Sequence, residues 1–260
     1  DAVDGLATFT NLGIAGSASG TYQITFTATY SNNSAMTVAQ SSISITFGTA
    51  AVLEVTRDAA GFVNRTNFTT QPQVTVKDGY DNVVTNWSTD VVADITGNQA
   101  SGLTGDTSVP FTNGVATFTD LGLTGKAELK TLSFTSTGVL QGDSQQFTTT
   151  HGAAHSLTIS TAAADAVVGV NLGTQPVVTI LDQDGNTVTT GSQSTQDVVL
   201  TTSAGTTLSG PTTKPAVAGV ATFSGLQLNG TAGSATFTYT ISSPSSKVQT
   251  CLLYTSPSPR

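Results

Sequence analysis

Gly114-Val-Ala-Thr-Phe118 recurs as Gly219-Val-Ala-Thr-Phe223 and, with Leu for Val, as Gly5-Leu-Ala-Thr-Phe9. The final Phe residues lie 109 and 105 positions apart (118 − 9 and 223 − 118). Each copy is followed by a short Leu-containing stretch, TNLGIAG, TDLGLTG or SGLQLNG. Each then leads into an alternating run: Tyr22-Gln-Ile-Thr-Phe26, Thr131-Leu-Ser-Phe134 and Thr236-Phe-Thr-Tyr239. A period this long is the signature of a tandem array of whole domains.

A second anchor lies upstream and gives the same register. Thr70-Gln-Pro-Gln-Val-Thr-Val76 matches Thr174-Gln-Pro-Val-Val-Thr-Ile180, 104 positions on (174 − 70). Both run into a turn, Lys77-Asp-Gly-Tyr-Asp-Asn82 and Leu181-Asp-Gln-Asp-Gly-Asn186. Val52-Leu-Glu-Val-Thr56 matches Ser156-Leu-Thr-Ile-Ser160. Residues 1–49 therefore read as the C-terminal half of one repeat, 50–153 as a complete repeat, and 154–250 as a repeat lacking the end of its last strand. The first repeat opens in mid-domain at Asp1, so the chain is expected to be a fragment of something longer.

Composition agrees with an all-β reading. The 260 residues include 50 Thr and 27 Ser, with 26 Gly and only two Glu. Thr, Val, Ile, Phe and Tyr favour strands, while Gly, Asn and Asp supply turns. Short runs such as Gln73-Val-Thr-Val76 and Ser42-Ile-Ser-Ile-Thr-Phe47 alternate at period two. The middle repeat parses into seven strands, near 52–56, 71–77, 90–96, 107–111, 114–119, 129–136 and 144–150. About seven strands in roughly 100 residues is the arithmetic of an immunoglobulin-like β-sandwich. The expected core is Leu53, Val55, Val74, Val76, Val92, Ile95, Phe118, Leu121, Leu132, Phe134 and Phe147. In the third repeat it is Leu157, Ile159, Val178, Ile180, Val199, Phe223, Leu226, Phe237 and Tyr239.

The same arithmetic excludes several functions. Eight basic against sixteen acidic residues give a net charge of −8, which opposes a nucleic-acid footprint. At 9% charged and 37% hydrophobic, the chain lacks the composition of a disordered one. No apolar run nears the roughly 18 residues of a membrane-spanning helix, so no membrane contact is expected within this stretch. One Cys can form neither an internal disulfide nor a Cys-based zinc site.

The tail Cys251-Leu-Leu-Tyr-Thr-Ser-Pro-Ser-Pro-Arg260 breaks the pattern, carrying the one Cys and two of the eight Pro. It resembles a translated sequencing adapter of the transposase type, since TGT CTC TTA TAC ACA TCT CCG AGC CCA CGA reads CLLYTSPSPR. Residues 251–260 are expected to be read-through, which would leave the native stretch without Cys.

Candidate chemistry is sparse. Asp182-Gln-Asp184-Gly-Asn186 looks like the start of a calcium loop, but position twelve is Gln193 where an EF-hand needs Glu. Between two strands it reads as a turn. Asp78-Gly-Tyr-Asp81-Asn82 keeps the turn residues but changes their spacing, which favours the turn. His151 and His155 sit on a non-helical junction and read as linker residues. Trp87 with Tyr80 could stack on a sugar, although a partly buried sandwich Trp is the simpler reading. Sequons at Asn32, Asn64, Asn67, Asn86 and Asn229 are about as many as chance supplies in a chain this rich in Ser and Thr. No catalytic, cofactor-binding or metal-ligating residue is assigned, no cofactor is implied, and the chain is not expected to be an enzyme.

The strand Gln175-Pro-Val-Val-Thr-Ile180, the turn Asp182–Asn186 and the strand Gly219-Val-Ala-Thr-Phe223 resemble the bacterial immunoglobulin-like repeats of large surface and secreted proteins, of the invasin and intimin type. The resemblance covers most of residues 50–250 and half of 1–49. It implies tandem immunoglobulin-like sandwiches that serve as an extracellular or cell-surface stalk or adhesive segment. The partner would be a surface ligand, carbohydrate or protein. The other reading is a carbohydrate-binding or spacer module of a secreted polysaccharide-degrading enzyme.

Overall fold

Each of the three Gly-Val/Leu-Ala-Thr-Phe stretches begins at a two-residue hairpin turn. Thr112 and Val115 exchange both backbone hydrogen bonds, at 2.8 and 3.1 Å, around Asn113 (φ 51°) and Gly114 (φ 79°). Val217 and Val220 do the same around Ala218 and Gly219, as do Val3 and Leu6 around Asp4 and Gly5. Two successive positive-φ residues define the type I′ turn, whose twist matches that of paired strands. At Gly219 a Cβ would also sit 2.4 Å from the Val188 carbonyl oxygen, so the position admits only glycine.

The computed structural model describes residues 2–18, 20–30, 34–96, 102–241 and 247–256. These are almost entirely strand and turn, apart from a single 3₁₀ segment, Ser192–Thr195. In the middle unit, Val115–Thr117, Gln73–Asp78 and Ala50–Arg57 form one antiparallel sheet in that order. Gly142–Thr148, Leu129–Thr135, Val91–Thr96 and Ser108–Val109 form the second. Seven strands in two sheets around one apolar core make an immunoglobulin-like sandwich. The third unit repeats the plan. Ser156–Thr161, Val177–Leu181 and Val220–Thr222 form one sheet, opposite a five-stranded sheet built on Ser234–Ile241.

The two cores are separate and equivalent. Val74, Val76, Phe118, Leu121, Leu123, Leu132 and Phe134 are fully buried in the middle unit. Val178, Ile180, Phe223, Leu226, Leu228, Phe237 and Tyr239 are buried in the third. Phe118 and Phe134 pack with ring centroids 5.5 Å apart, and Phe223 and Tyr239 at 5.9 Å. A Gln side chain ties the two halves of each unit together. Gln71 Oε1 accepts from Leu121 N at 2.9 Å and its Nε2 donates to Leu121 O at 2.9 Å. Gln175 holds Leu226 in the same way. The Gln of the Thr-Gln-Pro motif is thus a structural staple.

Two expected core positions are displaced by one residue. Val92 is 42% exposed, whereas Val91 and Ala93 are buried. Val199 is 36% exposed, whereas Val198 and Leu200 are buried. Both errors fall on a Val-Val doublet, where the sequence does not say which residue faces inward. Strand parity decides it: Val91, Ala93 and Ile95 share one face, and Val92 takes the other. The short pairs Gly102–Thr104 with Gly122–Thr124 and Thr206–Ser209 with Gln227–Gly230 were not expected as strands. In each pair the second strand occupies the Leu-containing stretch that follows the Phe, and the first lies before the Phe.

The last strand of the third unit, Lys247–Ser256, runs past Thr250 without interruption. Cys251, Leu252, Leu253 and Tyr254 pair with Phe237, Thr236, Ala235 and Ser234. Thr255 and Ser256 pair in parallel with Ala166 and Val167. Main-chain ladder bonds are indifferent to side-chain identity, and Leu and Tyr suit a strand.

Candidate functional site

The turn after the strand Val177–Leu181 forms the joint between the middle and third units. Asp182 shapes it from within: Oδ1 accepts from Asp184 N at 3.0 Å and from Asn186 N at 2.8 Å. This is how a short Asp side chain substitutes for backbone pairing in a turn. Its other oxygen, Oδ2, accepts from Asn186 Nδ2 at 2.9 Å, from Gly152 N of the junction at 2.8 Å, and from Asn64 Nδ2 of the middle unit at 2.8 Å. Asp182 and Asn64 are each only 1% exposed. Burial pushes the Asp182 carboxyl up, but the donors from Asn186, Gly152 and Asn64 outweigh it and hold it below its ordinary value.

The remaining contacts extend the same interface. Asn186 Oδ1 accepts from Ala127 N at 2.8 Å, and its Nδ2 donates to Gly125 O at 2.9 Å. Asn64 Oδ1 accepts from Gly125 N at 3.0 Å, while its Nδ2 also reaches Asp184 Oδ2 at 2.7 Å. Arg65 meets Asp184 with both prongs, Nε to Oδ2 and Nη2 to Oδ1, each at 2.8 Å. That bidentate fit fixes orientation as well as charge. The Arg65 hydrogen bond brings the Asp184 carboxyl down to about 2, against the opposing effect of burial. Lys126 Nζ donates to the carbonyls of Asp184 at 2.7 Å and Gly185 at 3.3 Å.

The preceding joint is built from the same parts. Asp78 Oδ2 accepts from Gly48 N at 2.6 Å, as Asp182 does from Gly152. Asn82 Oδ1 accepts from Ala18 N at 2.6 Å, and its Nδ2 donates to Gly16 O at 3.0 Å. These are the counterparts of Asn186 with Ala127 and Gly125. Gly48 N leads the donors that hold the Asp78 carboxyl well below its usual range, followed by the Asn82 side chain.

In the loop read as a possible calcium site, the Asp182 and Asp184 oxygens accept from amides and from the Arg65 guanidinium. Gln193, at the position where Glu would be needed, accepts from Ala154 N at 2.7 Å instead. No cluster of three or more His, Cys, Asp or Glu that could hold a metal is found among the described residues. His151 locks the junction: Thr190 N donates to Nε2 at 3.1 Å, leaving the proton on Nδ1, which lies 2.8 Å from Gly152 O. His155 is exposed and contributes its backbone, with N donating to Leu181 O at 2.7 Å. Trp87 is half-buried and packs on the middle core, with Nε1 donating to Ser136 Oγ at 3.1 Å, whereas Tyr80 is exposed in its turn. Of the sequons, Asn64 is buried in the joint, and Asn32 lies outside the described residues.

Sequence reasoning missed Asn64, Arg65, Gly125 and Lys126 as joint residues. One signal was available. The outer residues of the two turns, Asp78 with Asn82 and Asp182 with Asn186, keep a constant separation, and only the interior residues move. The spacing that matters is therefore preserved, contrary to the expectation of a changed one.

No protein family matches the sequence, and no curated protein does. Solved structures are similar to the chain at low identity. A chain described as FdeC, a broadly conserved Escherichia coli adhesin, is 16% identical, with 85% of this chain and 68% of that one covered at a TM-score of 0.37. Domains 4–9 of the surface layer protein SbsC are 15% identical, covering 81% and 31% at 0.32. Extracellular cadherin domains 3–6 of protocadherin gamma B2 are 11% identical, covering 93% and 58% at 0.40. The chain therefore spans under a third of the surface-layer chain and just over half of the protocadherin chain. The chain's own sheets are those of an all-β chain of immunoglobulin-like sandwiches.

Proposed function

We propose that this chain is a non-enzymatic stalk segment of an extracellular or cell-surface repeat protein, in which the joints hold successive sandwiches at a fixed angle. The supporting observation is the recurrence of one joint. Asp78 and Asp182 each bind the backbone N–H of the junction glycine, and Asn82 and Asn186 each bracket a loop of the preceding unit. A flexible tether needs no such interface. Domain interfaces within a chain otherwise permit relative motion by default. A stack in which each unit contacts only its neighbours behaves as a one-dimensional rod. Such a rod projects a ligand-binding tip, adhesive for carbohydrate or protein, away from the surface that bears it. Interdomain distances measured in the intact chain and in joint variants test the reading.

A further inference from the structure

The chain enters and leaves the middle unit along neighbouring lines that run the same way. Val52 bridges Leu140 in parallel, and Val63 bridges Thr150 in parallel. At the first rung, Leu53 N donates to Leu140 O at 3.2 Å and Leu140 N donates to Ala51 O at 3.0 Å. At the second, Asn64 N donates to Thr150 O at 3.0 Å and Thr150 N donates to Phe62 O at 2.9 Å. The Thr150 hydroxyl also donates to Phe62 O, at 3.3 Å. Between the rungs the Phe62 and Phe147 rings stack with centroids 3.8 Å apart. The strand pairs inside the two sheets of this unit are all antiparallel.

Direction decides how such pairs fail. Pulling the chain apart at residues 49 and 153 slides the entry segment along the exit segment. The bonds of both rungs are then loaded together and must break together. A pair of antiparallel strands pulled at one end loses its bonds one after another instead. The second rung is also continuous with the joint. Asn64 gives its backbone N–H to Thr150 and its side-chain amide to Asp182 of the next unit, which in turn holds Gly152. Tension crossing the joint therefore arrives at the rung. We propose that the middle unit is a load-bearing element, whose resistance to tension along the chain resides in the parallel rungs Leu140 with Ala51 and Leu53, and Thr150 with Phe62 and Asn64. The property belongs to the unit itself and goes beyond the fixed angle between units.

Single-molecule pulling on the full chain tests this, in a Cys251→Ser background. Handles at Thr49→Cys and Ala153→Cys load the unit along the chain. Handles at Asp90→Cys and Thr135→Cys open the antiparallel pair Val91–Thr96 with Leu129–Thr135 from its end. All four positions are exposed. At equal loading rate the unfolding force is expected to be roughly twofold or more higher along the chain, since forced unfolding reads the barrier and not the equilibrium. Leu140→Pro and Thr150→Pro together remove one N–H donor from each rung. They should bring the force along the chain down to that of the second direction, with the strand circular dichroism retained. Equal forces in the two directions of the parent overturn the proposal. So does a folded double variant that keeps the parent's force along the chain. Where the double variant fails to fold, the two directions of the parent decide alone. The joint is read separately, as a distance without load, so failure here leaves the fixed joint standing.

Discussion

Asn64 donates its amide proton to Asp182 across 2.8 Å, and the two residues stand 118 positions apart in successive units. The amide is one of the N–H donors that satisfy this buried carboxylate. A carboxylate bound by several N–H groups needs no counter-ion, and an incoming calcium would have to displace Asn64 and Arg65. Millimolar calcium is accordingly expected to leave the thermal melting curve of the chain unmoved. A calcium-dependent rise in Tm that is lost in Asp182→Ala would contradict this.

Acid should loosen the joint before it unfolds the sandwiches. Asp184 titrates at about 2 in the folded chain against an ordinary 3.8, and Asp182 also lies below its ordinary value. A carboxyl whose folded pKa is depressed contributes stability above its ordinary pKa and loses it as pH falls through the folded one. The joint is therefore expected to be intact from neutral pH to about 4, and to loosen between about 4 and 2. Small-angle scattering across that range checks it. A radius of gyration that already changes between pH 7 and 5 would contradict the assignment.

The cores make a paired prediction. Phe118 is fully buried against Phe134, so Phe118→Ala should cost about 3–5 kcal/mol in denaturant unfolding. Tyr239 occupies the place of Phe134, and its buried hydroxyl has no hydrogen-bond partner among the described residues. Burial also pushes its pKa up. Stranding a hydroxyl costs stability, so Tyr239→Phe should be neutral or stabilise by about 1 kcal/mol. A loss of stability on Tyr239→Phe would show that the hydroxyl is used.

Residues 251–260 are proposed to derive from a sequencing adapter, on the match of ten consecutive residues to its translation. The pairing of Cys251–Tyr254 with the neighbouring strand does not bear on that origin, because a ladder accepts most side chains. Sequencing the locus from untagmented DNA is expected to give different codons after Thr250. Recovery of the same ten codons would refute the proposal.

Much of the fold was legible because repetition resolves ambiguity. Two anchors, at offsets of 104 and 105, set the register of the strands, and the seven expected strands fall within a few residues of those found. Parity at Val91-Val92 and Val198-Val199 was not legible, since both members of a doublet are apolar and packing alone selects one. The joint was half legible. Asp182 and Asn186 stood out as a turn, but Asn64 and Arg65 lie in another unit, and no local pattern ties a loop residue to a partner 118 positions away. Asn64 was noticed only as a sequon, a motif that says nothing of burial.

The fixed joint is tested most directly by a distance between units. Spin labels at Thr117→Cys and Thr222→Cys, both exposed and equivalent in the repeat, report it in a Cys251→Ser background. One narrow distance distribution is expected for the parent, broadened in Asn64→Ala and further in Asp182→Ala while the strand circular dichroism is retained. A broad distribution in the parent, or a narrow one unchanged in both variants, would contradict a joint held by these residues.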